Sequence, residues 1–328
     1  MRIAVINESF PVYNLATDKI ATKFRREGHE VFYSPRADMW SFMCDKAYLS
    51  ALFTYDLDKK NGKGMVPDIR QLLDSGVEVE VGGPAVTAMP QYIESQTGVI
   101  PHMGLDDRFE HVPGKYKATF TSRGCPRACD FCIVSKVEGR KMIEYDTFSI
   151  PEGRNPFVGD NNILATSWGH QKLVVQKLKH VKNLDINSGF DDRIFIKDPE
   201  RYWQLYNELD MEAWRFAYDS PEQKEAIQAC AEFLHTKGVD YRHIIVFCLI
   251  GFGDSTFDEG LERLKFLIEI GTSPYPMRYR PLDSLIKNYT PPGWDPGQLE
   301  KLFNWAGVPW HWKSTSWEDF VWPIKKKK

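Results

Sequence analysis

Short apolar runs alternate with amphipathic stretches along most of this chain, the signature of strands separated by helices. Ile3-Ala4-Val5-Ile6 reads as a buried strand. The helix after it lines up Ile20, Ala21 and Phe24 on one face and stops at Gly28. Val31-Phe32-Tyr33, Leu52-Phe53-Thr54-Tyr55 and Val77-Glu78-Val79-Glu80-Val81 continue the alternation, the last running into Gly82-Gly83-Pro84. Such alternation implies a parallel, doubly wound sheet, so residues 1–112 are expected to form a small Rossmann-like α/β domain. Ligands of these sheets sit at the carboxyl ends of strands, which singles out the loops after Ile6 and Val81.

Residues 113–283 repeat the pattern. Strands are expected at 116–121, 157–162, 184–188, 214–219, 243–251 and 277–280, with helices near 168–182, 199–209, 221–237 and 256–270. In the third helix Ala226, Ile227, Cys230, Phe233 and Leu234 form a core-facing stripe, and Gly238 and Gly271 are placed as helix stops. Residues 284–328 differ, holding six of the ten Trp residues, a density suited to capping an exposed apolar edge. The terminal Lys325–Lys328 run reads as a tail.

Apolar residues at 42% and charged residues at 27% describe a soluble globular protein. No apolar run approaches the roughly 18 residues of a membrane span, and the start of the chain turns polar too soon for a signal peptide. The cytoplasm is therefore the expected compartment. A net charge of −3 gives no global field for nucleic acid, but residues 113–145 carry seven Lys or Arg against three acids. That local excess would steady an anionic group.

The densest chemistry lies in Cys125-Pro126-Arg127-Ala128-Cys129-Asp130-Phe131-Cys132, a C-x3-C-x2-C spacing. Three thiolates from one loop suit an iron–sulfur cube that leaves one iron open for another ligand. A zinc knuckle would need a fourth ligand, and His111 upstream and His170 downstream are the nearest histidines. Cys44, Cys230 and Cys248 are scattered singly in apolar surroundings and read as buried small hydrophobes, so a second cluster is not expected.

The cysteine spacing, with Phe131 just before the last Cys, resembles the signature of the radical S-adenosylmethionine (SAM) enzymes. The resemblance covers about residues 113–283 and implies a partial (β/α)6 barrel with a [4Fe–4S] cluster on Cys125, Cys129 and Cys132. It implies SAM on the open iron, an electron donor of reductase, flavodoxin or ferredoxin type, and hydrogen abstraction from a polar small molecule or nucleoside. Phe131 would pack near the adenine, and Asp160 and Asn161 would accept from the SAM ammonium, although Gly159-Asp160-Asn161-Asn162 departs from the frequent Gly-Gly-Glu. Asn187, Ser188 and Asp191 would meet the ribose, Arg215 the SAM carboxylate, and Gly251 in Ile250-Gly251-Phe252-Gly253-Asp254 would flank the adenine. Asp and Asn ahead of helices are also frequent caps, which leaves a second reading open for each. Arg278 and Arg280 alternate on the last strand and point the same way, suiting an anionic or oxygen-rich substrate or, equally, barrel acids such as Asp185 or Asp219.

The first domain, with its Gly-Gly-Pro-Ala-Val-Thr stretch, resembles the cobalamin-binding-type domain that precedes the barrel in many radical SAM proteins. The Asp-x-His-x-x-Gly of lower-histidine cobalamin binders is absent, since Asn7–Asn14 contains no His. This argues for a degenerate domain and against cobalamin-dependent methylation, which stands as the alternative within the family. A non-catalytic metal- or nucleic-acid-binding module is the alternative of another class.

Overall fold

The computed structural model describes residues 1–59, 62–253 and 255–322; Asp254 and the Lys325–Lys328 run lie outside them. The chain divides into two units, Met1–Arg154 with Pro281–Lys287, and Asn155–Arg280 with Asn288–Lys328. Both are α/β, built on parallel sheets. Among the described residues no helix is long and apolar enough to cross a membrane.

In the first unit β1 (Arg2–Asn7), β2 (Glu30–Ser34), β3 (Lys46–Ser50) and β4 (Glu78–Gly82) form a parallel sheet in the order β2-β1-β3-β4. This is a doubly wound arrangement, with the chain reversing direction between β1 and β3. Side chains alternate across β1, so Ile3 and Val5 pack with Ile20 and Ala21 of α1 (Leu15–Arg26). Ala4 and Ile6 pack on the opposite face with Ile69 and Leu72 of α2 (Met65–Asp74). Both faces are covered, which is why β1 reads as a continuous apolar run.

The third strand lies earlier than the sequence pattern suggests. Its register pairs Ile3 with Lys46 and Asn7 with Ser50, so the ladder stops where β1 stops. Residues 52–55 have by then left the sheet for a single 3-10 turn at Thr54–Asp56, where Phe53 stacks on Tyr55 with ring centroids 5.1 Å apart. The short helices α3 (Pro84–Ala88), α4 (Pro90–Thr97) and α5 (Asp107–Glu110) follow β4.

Residues 113–154 belong to this first unit rather than opening the second. They hold β5 (Ala118–Thr119), β6 (Ser122–Arg123), α6 (Val134–Val137) and β7 (Ile143–Glu144), two short strands replacing the one expected at 116–121. Buried ion pairs to Glu110 and a 3.3 Å hydrogen bond from the Lys117 N–H to the Tyr13 hydroxyl tie the segment to the sheet layer. Residues 281–287 join the same unit, with Thr54 donating to the Ser284 carbonyl and Leu285 packed on the core.

The second unit alternates strands and helices largely as expected. β8 (Phe157–Val158) leads through α7 (Trp168–Leu178) to β9 (Asp185–Ile186), its parallel partner. Then come α8 (Asp192–Phe195), α9 (Pro199–Tyr206), β10 (Trp214–Ala217), α10 (Lys224–Thr236), β11 (Ile244–Ile250), α11 (Phe257–Glu269) and β12 (Ser273–Arg278). β10, β11 and β12 form a parallel sheet in that order. The expected stripe of α10 is buried at Ile227, Cys230 and Leu234, and Phe233 meets Phe195 edge-on at 5.9 Å.

β12 starts four residues earlier than expected and ends at Arg278, so Arg280 is not on the strand. Pro274 and Pro276 disguise it, because proline cannot donate to a ladder and survives only at a sheet edge, the place β12 takes. The Trp-rich tail contributes α12 (Pro296–Ala306) and α13 (Pro309–Ser314). α12 buries Leu299, Leu302 and Trp305 and packs against α11 and β12, covering that apolar edge.

Candidate functional site

The cysteine loop is held at its base by a two-stranded stem. β6 and β7 pair antiparallel with Ser122 opposite Glu144 and Arg123 opposite Ile143, and the loop runs between them. Gly124 starts it at φ +86°, and a Cβ there would lie 2.2 Å from the Lys141 carbonyl oxygen. No other residue fits this approach. The Cys125 N–H then bonds to the Gly139 carbonyl at 3.3 Å, and the Cys132 N–H closes a turn on the Cys129 carbonyl at 3.0 Å. Cys125, Cys129 and Cys132 are all half-buried, as is Phe131.

Behind the loop sits a charge cluster that sequence reading missed. Glu138 accepts from the Gly124 N–H at 2.8 Å and from Arg123 Nη1 at 2.9 Å, which fixes the residue just ahead of Cys125. Arg123 also binds Glu110 through Nε at 2.7 Å and Nη2 at 3.0 Å, and lies 3.5 Å from the centroid of the Phe120 ring. Lys19 donates to the Glu110 carbonyl and stands 3.6 Å from its carboxylate, and the Tyr145 hydroxyl donates to that carboxylate at 3.2 Å. Burial pushes the Glu110 carboxyl up, but Arg123 and Lys19 outweigh it and hold the group below its ordinary range. Burial likewise opposes the Arg123 charge, and Glu110 and Glu138 more than restore it. The available signal was an arginine ending an otherwise uncharged Thr-Phe-Thr-Ser run, with a glutamate fifteen residues on.

The remaining cysteines behave differently. Cys44, Cys230 and Cys248 are buried in the cores, and burial raises every one of these thiols, Cys44 to about 11 and Cys248 to about 12. They are packing residues. Among the described residues no three Cys, His, Asp or Glu side chains are gathered as a ready-made metal cage, and that includes Cys125, Cys129 and Cys132. His111 meets the Tyr145 ring edge-on at 4.9 Å. The chemistry of the donors themselves, three half-buried thiols within eight residues of a pinned loop, suits an iron–sulfur cluster.

Apart from Phe131, which lies in the first unit, the expected SAM residues belong to the second unit, most of them at carboxyl ends of its parallel strands. Asp160 and Asn161 follow β8, Asp160 fully buried and Asn161 half-buried. Asn187 and Ser188 follow β9 and are exposed. The end of β8 is joined to the start of α8 by Asn162 Nδ2 donating to Asp191 Oδ2 at 2.9 Å. Asp191 caps α8, accepting from the Arg193 N–H at 3.2 Å, so its carboxylate serves the helix as the alternative reading held.

Arg215 departs furthest from expectation. Its guanidinium is bound by Asp185, Nη2 to Oδ2 at 3.2 Å with Nε on Oδ1, and by Glu212 at 2.8 Å. The arginine expected to meet the SAM carboxylate is thus held by two carboxylates of the fold itself. Gly251 follows β11 at φ +83°, but the space a side chain would need is filled by Pro291, whose Cγ would lie 2.5 Å from a Cβ. Among the described residues Arg278 forms no ion pair with Asp185 or Asp219. It donates to the Tyr289 carbonyl at 3.3 Å and lies over the Phe303 ring at 5.1 Å. Burial, and then the like charge of Arg280, pull its guanidinium below the usual value. Two arginines are thus close enough to repel, though not by strand alternation.

In the first unit the loop after β1 is closed on itself. Ser9 donates to Asp56 at 2.8 Å and accepts from the Leu52 N–H at 2.8 Å, while Asn14 bonds Ser50 at 3.0 Å. Glu8 and Asp68 are buried beside them, and Glu8 Oε1 and Asp68 Oδ1 have no hydrogen-bond partner among the described residues. No family model and no curated protein matches this chain.

Proposed function

We propose that this chain is a radical SAM enzyme of the partial β/α barrel kind, whose [4Fe–4S] cluster is held by Cys125, Cys129 and Cys132. The observation that carries the reading is the C-x3-C-x2-C loop itself, three half-buried thiols on a stem pinned by Glu138 and Arg123. A cluster so held, reduced by one electron from a flavodoxin- or ferredoxin-type donor, would supply SAM cleavage to methionine and a carbon radical that takes hydrogen from the substrate.

The chain's own residues then bind, orient and exclude. The turn from Cys129 to Cys132 sets the spacing of two thiolates, and the charge pair behind Gly124 sets the entry of the third. Phe131 offers an apolar face for the adenine. Asp160 and Asn161 offer acceptors for an ammonium, and Asn187 and Ser188 offer exposed groups for ribose hydroxyls. Arg278 and Arg280 suit an anionic or oxygen-rich small molecule or nucleoside. The experiment is anaerobic reconstitution with iron and sulfide, followed by dithionite and SAM. Methionine and 5′-deoxyadenosine should form in equal amounts and vanish in Cys129→Ala. Undiminished cleavage in that variant would remove the ligand assignment.

A further inference from the structure

We propose that the second unit carries a binding site for a small organic ammonium ion, in the cavity between the starts of α10 and α11. The cavity is about 590 Å3, within the usual range for a small-molecule site. It does not rest on the reading above: none of the residues assigned to the cluster or to SAM lines it.

Its walls combine two features that select a cation. Tyr218, Phe252 and Phe266 supply aromatic surface, and Tyr218 and Phe266 meet edge-on at 5.9 Å. The negative face of such rings attracts an ammonium. The structure already holds one example, since Lys224 Nζ stands 4.7 Å from the centroid of Phe266. Around these rings lie the carboxylates of Asp219, Glu222, Glu259 and Glu262.

Among the described lining residues two cations face four carboxylates, so that charge is offset only in part, and Glu259 also accepts from the Thr256 N–H at 2.8 Å. Arg263 is turned to backbone carbonyls, donating to Tyr218 at 3.1 Å, Asp219 at 3.0 Å and Leu249 at 2.7 Å. Lys224 is engaged on the Phe266 face. In addition, Ser255 Oγ is buried in the lining with no hydrogen-bond partner among the described residues. A hydroxyl left this way marks a place where an incoming N–H would be accepted. Aromatic faces, surplus carboxylates and an unsatisfied acceptor together describe a protonated amine.

Asp219 adds a pH signature. Burial raises its carboxyl to about 6, with the Leu249 N–H and Arg263 opposing, and with Asp192 and Arg193 facing it from α8. Affinity for a cation should therefore rise as pH climbs from 5 to 7 and Asp219 ionises. The test is titration of the full chain with benzylammonium chloride, followed by calorimetry or ligand-detected NMR, with benzyl alcohol as the neutral isostere. Benzylammonium should bind more tightly than benzyl alcohol. Glu262→Gln and Phe266→Leu should each weaken it about threefold, and together about tenfold. Far-ultraviolet circular dichroism should show both variants folded. Equal binding of the alcohol, or affinity unchanged in the two folded variants, would overturn the proposal.

Discussion

Two clusters of buried charge in the first unit make opposite use of the same residue types. Behind the cysteine loop, Arg123 and Lys19 face Glu110 and Glu138, cation for carboxylate, at ion-pair distances of 2.7 to 3.6 Å. At the carboxyl end of the sheet, Glu8, Asp56 and Asp68 lie buried together, and among the described residues Lys59 forms its ion pair with Asp56, at 3.0 Å. The balanced cluster keeps its charges: Glu110 is held low and Arg123 high. The unbalanced one cannot. Burial first, and then the neighbouring Asp68, drive the Glu8 carboxyl well above its ordinary range, and burial raises Asp68 too. One proton between them would satisfy both unpartnered oxygens. The difference separates the charge-balanced mount of the cysteine loop from a corner of the fold that answers to pH.

The largest break in this comparison is Arg123→Leu, which leaves Glu110 and Glu138 buried without their guanidinium. Removing one partner of a buried pair costs about 3–5 kcal/mol, so urea midpoints should fall accordingly, and iron uptake by the loop should fall with them. An unchanged midpoint would show the cluster to be ornamental.

A smaller effect sharpens the other side. Because the native pKa of Glu8 lies above its unfolded value, its contribution is whole below the ordinary carboxylate range. It is lost as pH rises from there through the raised native value. Stability of the first unit should drop by up to ~1.4 kcal/mol per pH unit across that window. Glu8→Gln, a neutral mimic of the protonated acid, should flatten the slope. Denaturation midpoints from pH 5 to 9 in both proteins decide it, and parallel slopes would contradict the account.

The smallest effect is at Lys59, which is partly exposed and lowers Glu8 from a distance. Lys59→Gln should cost under about 1 kcal/mol and extend the Glu8 decline to higher pH, as read from the same midpoint series.

Much of the fold was legible because apolar periodicity reports burial directly. β1, β4, β11 and the helices α7, α9, α10 and α11 of the second unit fall close to where the pattern puts them. The misses have physical causes. Leu52–Tyr55 is half-buried outside the sheet, where Phe53 stacks on Tyr55 at a 3-10 turn, and Pro274 and Pro276 conceal a strand that only an edge could accept. The cysteine loop was plain from spacing alone. Its mount was not, since Arg123, Glu110 and Glu138 meet only after folding, and ion pairs leave no periodic trace in a sequence. Arg215 shows the converse: its strand position invited a ligand role, while Asp185 and Glu212 had already claimed it.

The central claim is that Cys125, Cys129 and Cys132 hold a cluster with one iron open. Electron paramagnetic resonance of the reduced, anaerobically reconstituted protein, with and without SAM, tests it most directly. The account predicts about four iron and four sulfide per chain and a cluster signal that shifts when SAM is added. One zinc per chain, or a cluster signal indifferent to SAM because a protein side chain already fills the fourth corner, would contradict it.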